Sequence, residues 1–198
     1  MPVQVLLWDC DGILQHGRGT DWGSRLDQAG GPGFAEALFE AEVPALRGER
    51  AFRDCLADLL HRWTGTGLTV EDLLAMWEDF AVDTDALALL DEVAASGVRC
   101  MLATNQQDHR AASMRQHCGY EEHVERSFYS CEVGAMKPEP AYFERVLSAL
   151  GLPAEAVGFV DDTRGNVEAA LALGIRAVYH DPATGVAGLR ADLAPLLA

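Results

Sequence analysis

Short apolar runs alternate with amphipathic stretches over two parts of the chain. The apolar runs predict five strands, at 3–8, 98–103, 127–130, 157–160 and 175–179. Between and after the later strands, apolar residues recur at helical spacing over 139–150, and a terminal helix is predicted over 185–197. Strands that alternate with helices in this way predict an α/β fold, with a parallel sheet covered by helices on both faces.

Residues 15–83 follow a different pattern. They begin with a glycine-rich stretch from Gly17 to Gly33, which favours turns and a flexible connection. Three amphipathic helices are predicted after it, the clearest of them over 52–63 and 73–80. We therefore expect a small helical cap at 15–83, inserted into an α/β core domain that is formed by 1–14 and 84–198.

Two carboxylates directly follow the first predicted strand. Asp9 and Asp11 stand at positions i and i+2 of an extended chain, so their side chains point to the same side. At the carboxyl end of a parallel strand, both would face the crevice where open α/β sheets bind ligands. Inside a buried strand each carboxylate would need a partner, because an unpaired buried charge is too costly to keep. The pair is therefore a candidate for chemistry, with Asp9 attacking and Asp11 handling a proton, and an acidic turn after the strand is the alternative.

Two further motifs are suited to binding an anion. Thr104 and Asn105 follow the strand at 98–103 and lead towards a helix, where backbone N–H groups are offered to an anion. The same dipeptide is also an ordinary helix cap. Lys137 is the only lysine of the chain and precedes Pro138 at a predicted helix start, which makes it a candidate anion clamp.

The last motif is acidic. Asp161 and Asp162 follow the strand at 157–160, and Asn166 lies on the first turn of the next predicted helix. Sites with one or two carboxylates and other oxygen ligands suit Mg²⁺, which is completed by water and substrate phosphate. Because all these motifs stand at the ends of predicted parallel strands, they are expected to meet in one crevice.

The chain resembles the haloacid dehalogenase (HAD) superfamily in the order of its four motifs: Asp9-x-Asp11-Gly12, Thr104-Asn105, Lys137-Pro138, and Asp161-Asp162 with Asn166. The resemblance covers essentially the whole chain. It implies a Rossmann-like, three-layer α/β/α core in which the helical insertion is a C1 cap. The stretch 161–170 is especially similar to small sugar-phosphate phosphatases and to the phosphatase domain of soluble epoxide hydrolases.

The resemblance implies a role for each residue that handles phosphate. Asp9 is the nucleophile that forms an aspartyl-phosphate, and Asp11 is the general acid and base. Thr104 and the amide of Asn105 hold the phosphoryl oxygens. Lys137 offsets the negative charge between Asp9 and the phosphate.

The resemblance also implies an Mg²⁺ site. Asp9 and the backbone carbonyl of Asp11 are ligands of the metal. Asp162 is the first choice for the remaining ligand, with Asp161 assisting directly or through water. Asn166 and Gly12 support this cluster.

The function implied is an Mg²⁺-dependent phosphatase that hydrolyses small phosphomonoesters, such as sugar phosphates or nucleotide-like compounds. A phosphosugar mutase of the β-phosphoglucomutase type shares all four motifs and is the main alternative. A 2-haloacid dehalogenase is disfavoured because such enzymes lack the aspartate at the position of Asp11 and need no Mg²⁺. A non-catalytic binding protein would have no reason to keep every motif residue.

Composition narrows the choice of partner. Acidic residues outnumber basic ones by 31 to 15, for a net charge of −16, which disfavours nucleic acid and anionic membranes as partners. The five cysteines are scattered, which argues against a disulfide framework or a zinc site. We expect a cytoplasmic monomer or homodimer that acts on a small phosphorylated metabolite.

Substrate choice is expected to depend on the cap and on the loop after Asp11. The polar and aromatic side chains best placed to reach a substrate there are His16, Arg18, Trp22 and Arg25. A guanidinium could bind a second anionic group, and an indole could stack on a sugar or a base. Each of these residues could equally serve the hinge or the packing of the cap.

Overall fold

The structure is a computed structural model that describes residues 2–17 and 21–198. Its strands are β1 (Val5–Trp8), β2 (Gln15–Gly17), β3 (Phe80–Val82), β4 (Arg99–Thr104), β5 (Arg126–Tyr129), β6 (Val157–Asp161) and β7 (Arg176–Tyr179). Its helices are α1 (Trp22–Gly30), α2 (Phe34–Leu46), α3 (Phe52–Arg62), α4 (Val70–Met76), α5 (Thr84–Ala95), α6 (Asp108–His117), α7 (Ser130–Val133), α8 (Pro140–Leu150), α9 (Arg164–Ala172) and α10 (Gly185–Leu197). Single 3₁₀ turns lie at Tyr120–Glu122, Ala154–Ala156 and Pro182–Thr184.

Five of these strands form one sheet in the order β5-β4-β1-β6-β7, and every pairing in it is parallel. The central strand β1 is buried along its whole length, which explains why it is continuously apolar. Its last residue, Trp8, is in register with Leu102 of β4 and Val160 of β6. The carboxyl ends of these three strands therefore lie side by side.

Side chains of the strands alternate between two apolar layers, one on each face of the sheet. Leu6 and Trp8 of β1 pack in the layer that also contains α5, α6 and α10. Val5 and Leu7 pack in the opposite layer, against α8 and α9. This arrangement confirms the predicted three-layer α/β/α fold.

Helices α1 to α4 form a separate group between β2 and β3, which we call the helical insertion (residues 22–76). It has an apolar cluster of its own, with Phe34, Leu38, Phe52 and Leu56 fully buried. The two strands that flank it pair antiparallel with each other, so the chain leaves and re-enters the α/β core through one small ribbon. The division of the chain into core and cap domains at 14/15 and 83/84 remains a prediction.

The glycine-rich stretch differs from its prediction, because half of it is helix α1. The side chain of Asp21 caps this helix by accepting a hydrogen bond from the Ser24 amide (3.2 Å). Gly30 serves close packing there, since a Cβ at this position would lie 2.1 Å from the Phe34 ring. Phe80 was predicted to be in the last amphipathic helix, but α4 ends at Met76 and Phe80 begins β3.

Candidate active site

Three strand ends bring the predicted motifs together. Asp9 directly follows β1, while Thr104 and Asp161 are the last residues of β4 and β6 on either side of it. All three residues are buried, with exposures of 6%, 1% and 0%. The parallel order of the sheet thus places the first, second and fourth motifs at one edge, as the sequence predicts.

Lys137 reaches this edge from the segment before α8. Its Nζ lies 2.8 Å from Asp9 Oδ1 and 2.6 Å from Asp161 Oδ2, and the residue is 1% exposed. Burial opposes the charge on the ammonium group, but the two carboxylates raise the pKa of Lys137 above its ordinary value. The side chain of Asn105 fixes the lysine's backbone by accepting from Lys137 N and donating to Lys137 O, both at 2.8 Å.

Carboxylate oxygens of Asp9, Asp161 and Asp162 lie within 4.8 Å of one another. Burial raises the pKa of Asp9 from 3.8 to about 7, Lys137 opposes this shift, and the neighbouring Asp161 adds to it. Burial and Asp161 also raise the pKa of Asp162. Three carboxylates beside a single ammonium group leave excess negative charge, which a divalent cation would offset.

The donor set fits Mg²⁺, because it is made of carboxylate oxygens that a hard cation prefers. Asp161 is already engaged, since it accepts hydrogen bonds from Lys137 Nζ, Thr163 N and Asn166 Nδ2. Asp162 accepts one side-chain hydrogen bond among the described residues, from Thr163 Oγ1 at 3.3 Å. Gly12 makes room for it, because a Cβ there would lie 2.1 Å from Asp162 Oδ2, and φ of Gly12 is +78°.

Asp11 faces the helical insertion and is held by three side chains. Gln15 Nε2 donates to its Oδ1 at 2.9 Å, and Gln106 Nε2 donates to its Oδ2 at 2.8 Å. Arg110, on the first turn of α6, binds both oxygens, with Nη2 2.6 Å from Oδ1 and Nη1 3.1 Å from Oδ2. This bidentate contact fixes the plane of the carboxylate.

A cavity of about 280 Å³ opens above Asp11, between the insertion and the core. It is lined by Asp11, Gly17, Trp22, Arg25, Met76, Trp77, Asp79 and Arg110. Trp22 and Arg25 therefore line a cavity next to Asp11, and Arg25 Nη1 donates to Asp79 Oδ2 at 2.9 Å; a contact of either residue with substrate remains a prediction. His16 does not line this cavity, because its Nε2 lies 3.1 Å from Asp83 Oδ2 in the ribbon between the insertion and the core. Arg18 lies outside the described residues.

Sequence reasoning did not single out Gln15, Gln106 or Arg110. Gln15 and Gln106 could have been chosen as candidate site residues, because each lies within four residues of a motif aspartate or threonine. Arg110 carries a weaker one, its place on the first turn of the helix that follows the Thr104-Asn105 motif. A buried carboxylate in the insertion, Glu42, was also missed; it accepts a hydrogen bond from Trp77 Nε1 at 2.8 Å.

Comparison with known proteins places the chain in a family. A sequence model of the haloacid dehalogenase-like hydrolases matches residues 3–174. The chain therefore belongs to the haloacid dehalogenase-like hydrolases, the family that its four motifs resemble.

Two similar proteins are named as a nucleotidase and a phosphatase. The GMP/IMP nucleotidase YrfG of Escherichia coli is 30% identical over 105 residues, which are 52% of this chain and 47% of the nucleotidase, so the match spans about half of that relative. The phosphoglycolate phosphatase of Pectobacterium atrosepticum is 27% identical over 188 residues, 89% of this chain and 79% of that enzyme.

Solved structures share the fold. A HAD family enzyme from Bacteroides thetaiotaomicron, in complex with magnesium and inorganic phosphate, matches with a TM-score of 0.75 at 21% identity, covering 91% of this chain and 95% of that one. The L-2-haloacid dehalogenase of Xanthobacter autotrophicus matches with a TM-score of 0.64 at 16% identity, covering 90% and 77%. No helix in residues 2–17 and 21–198 combines the length and the apolar character needed to cross a bilayer.

Proposed function

We propose that this protein is an Mg²⁺-dependent phosphatase that hydrolyses small phosphomonoesters through an aspartyl-phosphate on Asp9. The observation that carries the proposal is the cluster of Asp9, Asp161 and Asp162 carboxylates within 4.8 Å, with Lys137 bound to two of them. Phosphoryl transfer needs alignment and charge neutralisation above all, and this cluster provides a nucleophile beside the groups that supply both.

In the first step, an oxygen of Asp9 attacks the phosphorus of the substrate. The bond from phosphorus to the ester oxygen breaks, and protonated Asp11 donates its proton to the leaving alkoxide. Lys137 neutralises part of the charge that Asp9 and the phosphoryl oxygens share. Thr104 and the backbone amide of Asn105 hold phosphoryl oxygens at the end of β4.

In the second step, Asp11 accepts a proton from a water molecule that attacks the phosphorus of the aspartyl-phosphate. The bond between phosphorus and Asp9 breaks, which frees the carboxylate and releases inorganic phosphate. Asp9, the Asp11 carbonyl and Asp162 are the proposed ligands of Mg²⁺, with Asp161 assisting. Bound Mg²⁺ supplies positive charge to the phosphoryl oxygens and aligns them.

The proposed substrate is a phosphomonoester small enough for the cavity above Asp11. The nucleotidase and phosphoglycolate phosphatase relatives support this class, and the indoles of the cavity offer stacking contacts. The net charge of −16 supports a free metabolite over a nucleic acid. The cytoplasmic location and the monomeric or dimeric state remain predictions.

The test measures phosphate release from p-nitrophenyl phosphate, sugar phosphates, phosphoglycolate and nucleoside monophosphates. Assays contain either Mg²⁺ or EDTA and use the wild type and Asp9→Asn. We expect Mg²⁺-dependent turnover that falls at least about 1,000-fold in Asp9→Asn, because the attacking carboxylate is lost. Turnover in EDTA, or in Asp9→Asn at the wild-type rate, would contradict the mechanism. A folded protein that only interconverts sugar phosphates would be a mutase.

A further inference from the structure

The hydrogen bonds of Asp11 occupy the positions at which its carboxylate would carry a proton. Gln15 and Arg110 donate to Oδ1, at 2.9 and 2.6 Å, and Gln106 and Arg110 donate to Oδ2, at 2.8 and 3.1 Å. Each carboxylate oxygen has about two lone-pair sites, so these donors fill both oxygens. The proposed role of Asp11 as general acid and base therefore requires that one donor withdraw.

The two amides are fixed in place. Gln15 is 0% exposed, and its Oε1 accepts a hydrogen bond from the Tyr120 hydroxyl at 3.0 Å. Gln106 is 2% exposed, and its Nε2 donates to Thr104 Oγ1 at 3.2 Å as well as to Asp11. Turning either amide away from Asp11 would therefore disturb a second hydrogen bond in the interior, which is costly.

Arg110 is the donor that can withdraw. Its guanidinium is at the end of a long side chain and lines the cavity above Asp11, whereas neither amide is among the residues that line it. The centre of the Phe80 ring lies 4.8 Å from the guanidinium carbon, a contact that does not depend on the direction of the N–H groups. The Nε of Arg110 is buried and has no hydrogen-bond partner among the described residues, so one donor is already unused.

A guanidinium that leaves Asp11 needs another anion, because its side chain is 16% exposed and a charge at such a place is poorly solvated. Two other carboxylates near it are already engaged. Asp79 lines the same cavity but accepts from Arg25 Nη1 at 2.9 Å. Glu42 accepts from the Trp77 indole at 2.8 Å, and burial raises its pKa to about 7, so it is only partly ionised at neutral pH. A ligand in the cavity is the remaining source of an anion.

We propose that Arg110 is a specificity-determining residue, whose guanidinium exchanges the Asp11 carboxylate for a carboxylate of the substrate. The substrates would be phosphomonoesters of short hydroxy acids, in which one or two carbons separate the carboxylate from the ester oxygen. The separation is short because Asp11 must reach the ester oxygen, and the guanidinium nitrogens lie within 3.1 Å of Asp11. This inference rests on the proposed phosphatase function and adds the class of substrate.

The exchange links substrate choice to catalysis. A substrate with the second anionic group takes over the guanidinium and frees lone pairs of Asp11 for the proton. A substrate without that group leaves the guanidinium on Asp11, or has to displace it into the cavity without a partner. Such a substrate is therefore expected to react more slowly.

The test uses pairs of esters in which a hydroxymethyl group replaces the carboxylate: phosphoglycolate with 2-hydroxyethyl phosphate, and 2-phosphoglycerate with glycerol 2-phosphate. The proteins are the wild type, Arg110→Ala and a control on the same helix, Arg115→Ala, whose side chain pairs with Glu132 outside the cavity. All assays contain Mg²⁺ and give kcat and KM. We expect the wild type to prefer the carboxylate ester at least about 30-fold in kcat/KM in one pair or both, because hydrogen bonds between charged groups are strong.

In Arg110→Ala this preference should fall below about threefold, because the substrate carboxylate loses its partner. The hydroxymethyl esters should be hydrolysed about threefold faster or more than by the wild type, since no guanidinium competes for the lone pairs of Asp11. Arg115→Ala should keep the wild-type preference. A variant Arg110→Ala that loses the same factor on both members of a pair would overturn the proposal, because a purely structural role has that effect.

Binding of phosphonates supplies a readout that does not depend on turnover. 3-Phosphonopropionate and 3-hydroxypropylphosphonate are the analogues of the first pair in which a methylene group replaces the ester oxygen. In calorimetric titrations with Mg²⁺, the wild type should bind the carboxylate analogue at least about tenfold more tightly. Equal affinity of the wild type for the two analogues would overturn the proposal even if Arg110→Ala did not fold.

The assays also separate this inference from the proposed function. Mg²⁺-dependent turnover of p-nitrophenyl phosphate or other phosphomonoesters, without a preference within either pair, would overturn the inference and leave the phosphatase function intact. Absence of turnover of every phosphomonoester by the folded wild type would instead count against the phosphatase function itself.

Discussion

The candidate site has two sides, and each joins a carboxylate to a cation in different surroundings. The first side, which we call the floor, consists of Asp9, Lys137 and Asp161, whose side chains are at most 9% exposed. The second side, which we call the wall, consists of Asp11 and Arg110, whose side chains are 43% and 16% exposed. The floor lies on strand ends and the segment before α8, whereas the wall joins the loop after β1 to α6.

The two sides differ in how far their charged groups are exposed to water. Removing one partner of a buried ion pair leaves an uncompensated charge in a medium that solvates it poorly. An ion pair with a half-exposed partner is screened, and its loss costs little stability. We therefore expect the floor to govern folding and reactivity together, and the wall to govern rate and substrate choice with little effect on folding.

The largest effect is expected for Lys137→Met, which removes the cation of the floor. The variant should lose about 3–5 kcal/mol of unfolding free energy, because the carboxylates of Asp9 and Asp161 keep their burial and lose their partner. Urea denaturation at pH 7 measures this loss. The matched control is Arg99→Met, which breaks an exposed pair with Glu125 (2.8 Å, side chains 47% and 51% exposed) and should cost less than about 1 kcal/mol. Equal losses in the two variants would contradict the expected difference between a buried ion pair and an exposed one.

A smaller effect is expected at Glu42, a buried carboxylate of the insertion. Burial raises its pKa from 4.5 to about 7, while the hydrogen bond from Trp77 and the charge of Arg110 oppose this shift. The folded state binds the Glu42 proton more tightly than the unfolded chain does. The resulting contribution to the free energy of unfolding is fully present below pH 4.5 and is lost as the pH rises towards 7. The loss amounts to about 3 kcal/mol.

Glu42→Gln keeps an oxygen for the Trp77 indole and removes the titration. Compared with the wild type, the variant should gain about 3 kcal/mol in relative unfolding free energy between pH 4.5 and pH 8. Urea denaturation at the two pH values tests this, with Glu40→Gln on the exposed face of α2 as the control. A constant difference between Glu42→Gln and the wild type at both pH values would show that Glu42 does not titrate in this range.

The floor could be predicted from the sequence because its residues are tied to strand ends. Once five apolar runs are read as parallel strands, Asp9, Thr104 and Asp161 are placed at one edge of the sheet without any knowledge of packing. The strands of the structure agree with these runs to within two residues at each end. Here local sequence determines global position, because a parallel sheet brings its carboxyl ends together.

The wall could not be predicted in the same way. Arg110 and Asp11 are 99 residues apart in sequence, and their contact depends on how α6 packs against the sheet and on the reach of a long side chain. Helix α1 was missed for a related reason, since Gly23 and Gly30 suggest a turn, and the close approach of Gly30 to Phe34 is a packing contact that the local pattern does not show. Contacts set by packing leave little trace in local patterns.

The smallest effect is expected at Arg47, a residue of the insertion that pairs with Glu139, close to Lys137 of the floor. Its guanidinium donates to Glu139 Oε1, with Nε at 2.7 Å, and Glu139 Oε2 accepts from the backbone N of Met136, next to Lys137. Both side chains are about one-third exposed, so the pair is weak and salt should screen it. In Arg47→Ala we expect KM to rise about two- to fivefold with kcat unchanged, because the insertion rests less firmly over the cavity.

The control for Arg47→Ala is Arg50→Ala, since Arg50 pairs with Asp58 at 2.9 Å and both residues belong to the insertion side of the molecule. That variant should leave KM unchanged. Raising NaCl to about 0.5 M should abolish the difference between Arg47→Ala and the wild type, because exposed charges are then screened within a few ångströms. A fall in kcat that persists at high salt would mean that Glu139, through its contact with Met136, helps to align Lys137. Glu139 would then belong to the floor, although it lies at the surface of the protein.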